Sequence, residues 1–555
     1  MSKKIGYRDD FCAIVSDKIF CICTLLTAVL AYGFATFNMA VINDDLQGYI
    51  YVGEGMNMLA SGRFTIYLID RLTSTTIRGP AAAYPNDILA ILGLVWAGIN
   101  FCIFFRRVCG KDISNAACTV FTCVFVSYPL ITELWEYTGA YRVVAFGFLC
   151  DSFALMLMYD VLHRQQLGKW KKILVSCVLM MLVSAGYESL VPVYIFSVFA
   201  VLALQVVYGT EKEKKLTEIT RQGLCYAGVL GVGLILRIVV HKIILLQLDL
   251  SPAMNGETAI VWGVMPAGQV LTQTLVGILR DYVLRSLIYF PLTELAVAAV
   301  ILLVMGIAAG KKHGWAILLP GLGMYFSLIV LSLVQGCVTG YRSCQVFTMF
   351  VAFTAMFVVV MAERAEKSWL RVAVLILCGY LCFHQADQTN YFLTLSYMRT
   401  EEERSVIRNI GTELYSDFDM EKPVIFIGGG YTLSDGITEA ASIPEDSGRW
   451  IVYEKIYTKV NAYLEYYNLE QMGKPYRKLP QTNVNSVIGF SRWAFNQTQE
   501  PMQRLFAFFG YDYILPDCNA LYTEAYAYVE DNQVPAYPKA GYIQDAGEYL
   551  IVHIQ

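Results

Sequence analysis

Residues 19–45 read IFCICTLLTAVLAYGFATFNMAVINDD, an apolar run that ends in two adjacent carboxylates. A helix needs about 20 such residues to cross the ~30 Å of hydrocarbon in a bilayer. Ile19–Ile42 is therefore predicted to span a membrane, with Asn43-Asp44-Asp45 emerging at its far side. The run is too long for the core of a secretory signal and lacks a small-residue cleavage site, so it is expected to remain in the chain.

The same pattern recurs at Ile88–Phe105, Ile113–Ile131, Ala140–Val161, Ile173–Ala185, Leu190–Val207, Leu224–Val240, Leu292–Ala309, Trp315–Val334, Cys344–Met361 and Val372–Phe383. That makes about eleven transmembrane helices. Composition agrees: of 555 residues only 16% are charged, 56% are hydrophobic and the mean hydropathy is +0.48. A soluble chain carries about 25% charged residues. The deficit ends near Glu401, so a membrane domain over 1–395 and a soluble domain over 396–555 are expected, the latter of ordinary domain size.

Lys and Arg in short loops orient such a chain. Lys3, Lys4 and Arg8 precede the first span, and every second connection is basic. These are Arg106, Arg107 and Lys111; Arg164, Lys169, Lys171 and Lys172; Lys212, Lys214, Lys215 and Arg221; Lys311 and Lys312; and Arg364, Lys367 and Arg371. The connections between them are poor in Lys. The alternation predicts a cytoplasmic amino terminus and an extracytoplasmic domain after Phe383.

The net charge of −4 argues against a nucleic-acid surface, which needs a concentrated basic face. Nearly all of the 15 cysteines lie inside apolar runs, where Cys acts as a small hydrophobe, and none has metal-ligand spacing. Gly428-Gly429-Gly430 lacks the Gly-Lys-Ser/Thr of a phosphate loop and reads as a strand-to-loop turn.

Charge at membrane depth is costly, so each such residue is a functional candidate. In the expected topology they gather on the outer side: Asp44 and Asp45; Glu133, Glu136 and Arg142; Tyr187-Glu188; Arg280, Asp281 and Arg285; and Tyr341-Arg342. A solvated helix end, interfacial snorkelling and a hairpin cap are the plainer readings of Asp44-Asp45, of Arg142 and Arg342, and of Glu188. The first outer loop, 43–85, carries Leu46, Tyr49, Ile50, Val52, Met56 and Leu59 at helical spacing. After Gly62-Arg63 so do Ile66, Ile69 and Leu72, which predicts two amphipathic helices in the interface.

Beyond the membrane, Glu401–Ile410 reads as a charged helix. Val424–Ile427, Tyr513–Leu515 and Tyr549–Ile554 read as strands, and Ile456–Tyr467 and Pro501–Phe509 as helices. Strands alternating with helices predict a small α/β domain. Its many tyrosines, Tyr511 and Tyr513 among them, suit either contact with a sugar or a plain core.

The order of these motifs resembles the bacterial membrane glucosyltransferases of the Gtr type II class. Asn43-Asp44-Asp45, Gly62-Arg63-Phe64, Tyr187-Glu188 and Tyr341-Arg342 carry the likeness. In the soluble part so do Lys422–Gly428, Ile488-Gly489-Phe490-Ser491, Val534–Pro538 and Tyr549–Ile554. Phe64, where the family favours Trp, and Glu188, where it favours Gln, are departures. The resemblance implies a GT-C-like fold in the bacterial cytoplasmic membrane. It also implies a sugar, glucose by expectation, carried on polyprenyl phosphate, and transfer on the outer face to a surface glycan such as O-antigen.

Such chemistry needs a carboxylate to take the acceptor's proton and cations against the departing phosphate. The resemblance selects Asp44 and Asp45 for the first over Glu133 and Glu136. Arg342, Arg285 and Arg142 suit the second, since a guanidinium donates bidentately. Arg63, Glu133, Glu136, Tyr187, Glu188 and Tyr341 complete the expected substrate site. A divalent metal stays open, because two acids are present without a clear third ligand. The rival readings are a flippase for lipid-linked sugars and a non-catalytic scaffold. Against the flippase stand the absence of an internal repeat and the expected confinement of charge to the span ends.

Overall fold

The computed structural model describes residues 6–38, 40, 54–73, 83–109, 113–135, 140–163, 168–211, 213–252, 260–278, 292–308, 310, 314–365, 367–428, 499–516 and 520–554. Eight helices among them are long and apolar enough to cross a membrane: Lys18–Phe37, Tyr84–Cys109, Tyr141–His163, Glu188–Tyr208, Leu216–Leu248, Gly314–Gln335, Val346–Arg364 and Ser368–Asp417. Asn115–Ile131 and Ala296–Ile307 are apolar but shorter. The described chain divides into two compact units, the first holding its residues up to Phe37 and from Gly53 to Asn390, the second those of Asn38–Val52 and those from Tyr391 onward.

In the first unit the helices are α1 (Tyr7–Val15), α2 (Lys18–Phe37), α3 (Glu54–Ala60), α4 (Phe64–Thr73), α5 (Ala83–Cys109), α6 (Asn115–Ser127) and α7 (Ala140–His163). They continue with α8 (Lys169–Gly186), α9 (Val191–Tyr208), α10 (Leu216–Leu248), α11 (Ala267–Ile278), α12 (Leu292–Ala308), α13 (Leu318–Gln335), α14 (Val346–Arg364) and the start of α15 (Ser368–Asp417). Helix α7 packs between α5 and α8, α8 against α10, α9 against α13, and α6 between α2 and α14. Where α8 meets α10 the approach is close: a Cβ on Gly233 would stand 2.6 Å from Met180 Cβ and 3.1 Å from the Cys177 carbonyl.

Described residues of three of the basic connections gather at one end of this unit. Arg107 pairs with Asp160 at 3.1 Å and Asp10 at 3.5 Å, and Lys172 with Asp160 at 3.2 Å. Arg371 reaches Glu363 at 3.4 Å, and Glu363 accepts from Ser114 Oγ at 2.8 Å. The turns between α6 and α7 and between α8 and α9 lie at the other helix ends.

The run Ile113–Ile131 does not make one helix. Pro129 cannot donate a backbone hydrogen bond, and its ring drives Tyr128 into extended backbone, φ −63° and ψ 124°. Helix α6 stops at Ser127, a 3-10 turn covers Pro129–Ile131, and Thr132–Trp135 forms one helical turn. The last span and the charged helix after it, read as separate pieces, are one helix of 50 residues, α15.

The second unit takes the end of α15 with α16 (Glu500–Phe508), α17 (Ala520–Asp531) and strands β1 (Val424–Ile427), β2 (Ile543–Asp545) and β3 (Leu550–His553). The sheet order is β1-β3-β2, with β1 parallel and β2 antiparallel to β3. Alternate residues of β1 serve two cores, which is why its whole run is apolar. Val424 and Phe426 pack with Ile407, Ile410 and Leu505, while Ile425 and Ile427 pack with Ala525 and Val529. Tyr513 fills the first core beside Phe426 and Phe506. Tyr513–Leu515 does not extend into a strand: Ile514 accepts from Val424 N–H at 2.9 Å, and Pro423 has no N–H to return. The expected helix Ile456–Tyr467 and the motif Ile488–Ser491 lie outside the described residues.

Candidate functional site

The site begins with a reversal at Gly62, whose φ of +76° suits a residue without Cβ. It separates α3 from α4, as the Gly62-Arg63 break in the amphipathic pattern predicts. The apolar faces of both helices meet protein. Leu59 and Phe64 pack with Leu182, Ala185, Val240 and Ile244, and Ile66 and Ile69 with Val143 and Phe146. Leu68 and Leu72 keep an exposed side. Thr65 Oγ1 donates to the Leu182 carbonyl at 2.8 Å, and a Cβ on Gly186 would lie 2.8 Å from Val143 Cγ1. This tight corner fixes Arg63 beside the end of α8.

Tyr187 ends α8 in extended backbone, and Glu188–Leu190 turns into α9, with Pro192 in its first turn, where a missing N–H costs nothing. The Arg63 guanidinium lies 5.7 Å from the Tyr187 ring centroid and 3.6 Å from Glu188 Oε2. Arg237 of α10 donates from Nη2 to Glu188 Oε1. His241, one helical turn along α10, contacts the Ala60 carbonyl through Nε2 at 3.1 Å, its ring lying beside Gly62.

Arg142, in the first turn of α7, is buried. It donates to Asp70 Oδ1 at 3.0 Å and Thr73 Oγ1 at 2.5 Å. Burial pushes the Asp70 carboxyl up to about 6, outweighing the pull of Arg142. The neighbouring Tyr141 donates to Asp87 and stacks at 4.7 Å on Trp135, which stacks at 4.3 Å on Tyr32. All three rings are buried, so the stack joins α2, α7 and the Thr132–Trp135 turn and leaves no face for a sugar.

Tyr341–Ser343 forms a 3-10 turn that packs against both the Thr132–Trp135 turn and the Glu188–Leu190 turn. The fold thus brings Arg63, Arg142, Tyr187, Glu188 and the Tyr341-Arg342 turn to the helix ends opposite the basic connections. Asp44, Asp45, Glu136 and Arg285 lie outside the described residues, as do the side chains of Glu133 and Tyr341. Among the described residues no group of three His, Cys, Asp or Glu side chains could hold a metal ion.

Sequence reading passed over Arg237, His241 and Asp70. Arg237 and His241 had a visible signal: a cation and an imidazole four residues apart inside an apolar run. Charge is also not confined to the span ends. Asp151, midway along α7, is fully buried, and neither of its carboxylate oxygens has a hydrogen-bond partner among the described residues.

Apolar helices of spanning length, with acids and arginines gathered at one set of helix ends, fit a multi-pass membrane protein with a polar site at that end. The chain belongs to the GtrII glucosyl transferase family: the family model described as Glucosyl transferase GtrII matches residues 33–359, more than half of its length. This bears out the resemblance carried by the order of motifs. No curated protein matches the chain.

Proposed function

We propose that this protein transfers glucose from a polyprenyl phosphate to a surface glycan at the outer face of the cytoplasmic membrane. Family membership supports the glucosyl chemistry. The observation that carries the rest is the convergence of Arg63, Arg142, Glu188 and the Tyr341-Arg342 turn on the helix ends away from Lys172 and Arg371. Lysine- and arginine-rich connections favour the cytoplasmic side, which supports an outer position for the convergent end.

In this reading Asp44 or Asp45 takes the proton from the acceptor hydroxyl. The acceptor oxygen bonds to the sugar's anomeric carbon as the bond from that carbon to the phosphate oxygen breaks. The departing phosphate keeps the electron pair, and cations drawn from Arg342, Arg285 and Arg142 stabilise it. Glu133, Glu136 and Tyr341 would line the acceptor side, and the carboxyl-terminal unit would stand outside the membrane. The test is the composition of surface glycans in cells carrying Asp44→Asn, Asp45→Asn or both. Loss of one side-branch glucose with normal membrane insertion supports the reading; full retention in the double variant removes it.

One observation favours a second reading, movement of a lipid-linked sugar across the bilayer: buried intramembrane carboxylates such as Asp151 commonly mark transport routes. Purified protein in detergent has no two compartments. Sugar transfer there supports the enzyme, and its absence with a competent donor supports the flippase.

A further inference from the structure

Arg237 ends an uncharged stretch that begins after Arg221 in a helix of 33 residues, about 24 Å along it from that residue. That distance is most of the ~30 Å hydrocarbon thickness, which is consistent with a guanidinium near the depth of a lipid's phosphate. It faces Arg63 across the Glu188 carboxylate, and the three side chains are 19%, 20% and 26% exposed. The cluster is open to solvent.

The two sides of the cluster differ. Arg237 is hydrogen-bonded to Glu188, whereas Arg63 stands off at 3.6 Å, its guanidinium held over the Tyr187 ring. Two guanidiniums and one carboxylate leave a net positive charge, with two planar forks turned to one anionic group. His241 stands one turn further along α10, in contact with the Ala60 carbonyl.

We propose that Arg63 and Arg237 form a phosphate clamp whose resting occupant is the Glu188 carboxylate, and that a lipid-linked phosphate displaces it. The proposal rests on the donor reading above and adds two arginines that hold the lipid phosphate beside the cations named there. A sugar phosphodiester carries one negative charge. When the bond to the anomeric carbon breaks with its electron pair, the phosphate left on the lipid carries a second. Two arginines match that product, and the return of Glu188 helps to expel it. Glu188 therefore sets product release, and Arg237 sets phosphate affinity.

The experiment measures binding of farnesyl phosphate, farnesol and inorganic phosphate to the purified full chain in phosphatidylcholine nanodiscs. The proteins are wild type, Arg237→Ala, Arg237→Lys, Arg63→Ala and Glu188→Gln, each first checked for a wild-type melting profile. Farnesyl phosphate is expected to bind the wild type and farnesol not to. Arg237→Ala and Arg63→Ala should each weaken binding about tenfold or more, and Arg237→Lys by less. Glu188→Gln should tighten binding severalfold while lowering kcat, a split that a packing role would not produce. If Arg237→Ala does not fold, Arg237→Lys and Glu188→Gln decide. Equal farnesyl phosphate affinity across the variants overturns the clamp and leaves the donor reading standing. Inorganic phosphate bound with the same variant dependence, without farnesyl phosphate, keeps the clamp and overturns the lipid donor. No binding of either to the wild type overturns the clamp.

Discussion

Arg142 donates from Nη2 to Asp70 Oδ1 at 3.0 Å, fastening the first turn of α7 to the surface helix α4. The contact joins a buried cation to a carboxyl whose own burial resists ionisation. It carries two expectations about stability.

The first concerns pH. Asp70 is raised from 3.8 to about 6, so the folded protein holds this proton more tightly than the unfolded chain does. Its stabilising contribution is complete below the unfolded value and lost as pH rises through about 6. The thermal midpoint of purified protein in detergent should fall between pH 4.5 and 7, with the Asp70 part of that slope absent in Asp70→Asn.

The second concerns removal of the partner. Asp70→Ala removes the carboxylate that the buried Arg142 guanidinium donates to at 3.0 Å. A cost of about 3 kcal/mol is expected. The double variant Asp70→Ala/Arg142→Met should recover much of it. Denaturation of the three proteins under one set of conditions checks this, and a double variant no better than the single one refutes it.

Gly233 and Gly231 make a matched pair on α10. A Cβ at Gly233 would strike Met180 and the Cys177 carbonyl, whereas one at Gly231 meets nothing within 4 Å. Gly233→Ala should destabilise by about 1–3 kcal/mol by forcing α8 from α10, and it should cost activity, because that contact sets Glu188 against Arg237. Gly231→Ala should be neutral or stabilising by up to about 1 kcal/mol. Melting curves and transfer rates for both variants test the contrast.

In the second unit Gln499 completes a strand edge. Its Oε1 accepts from Phe426 N–H at 2.9 Å and its Nε2 donates to the Phe426 carbonyl at 2.6 Å, as a neighbouring strand would. Gln499→Ala leaves two buried backbone groups unpaired, for a loss of about 2–4 kcal/mol. Gln499→Glu supplies no donor to the carbonyl and should also destabilise. Amide exchange at Phe426 should rise in both variants; protection that stays at wild-type level counts against the role.

Much of this protein was legible in order along the chain. Helix α2, the break at Gly62-Arg63, the turn at Tyr187-Glu188 and strand β1 follow from local rules, because apolar length, glycine and extended backbone act within a few residues. The kink at Tyr128-Pro129 was equally local and was passed over, since hydropathy alone does not register a missing N–H. Pairing was another matter. That Arg142 belongs to Asp70, Arg237 to Glu188 and Gln499 to Phe426 depends on contacts between residues 72, 49 and 73 positions apart. Composition and periodicity carry no information about such distances. Only close packing of the helices, with Gly186 and Gly233 admitting the approach, decides which charges meet.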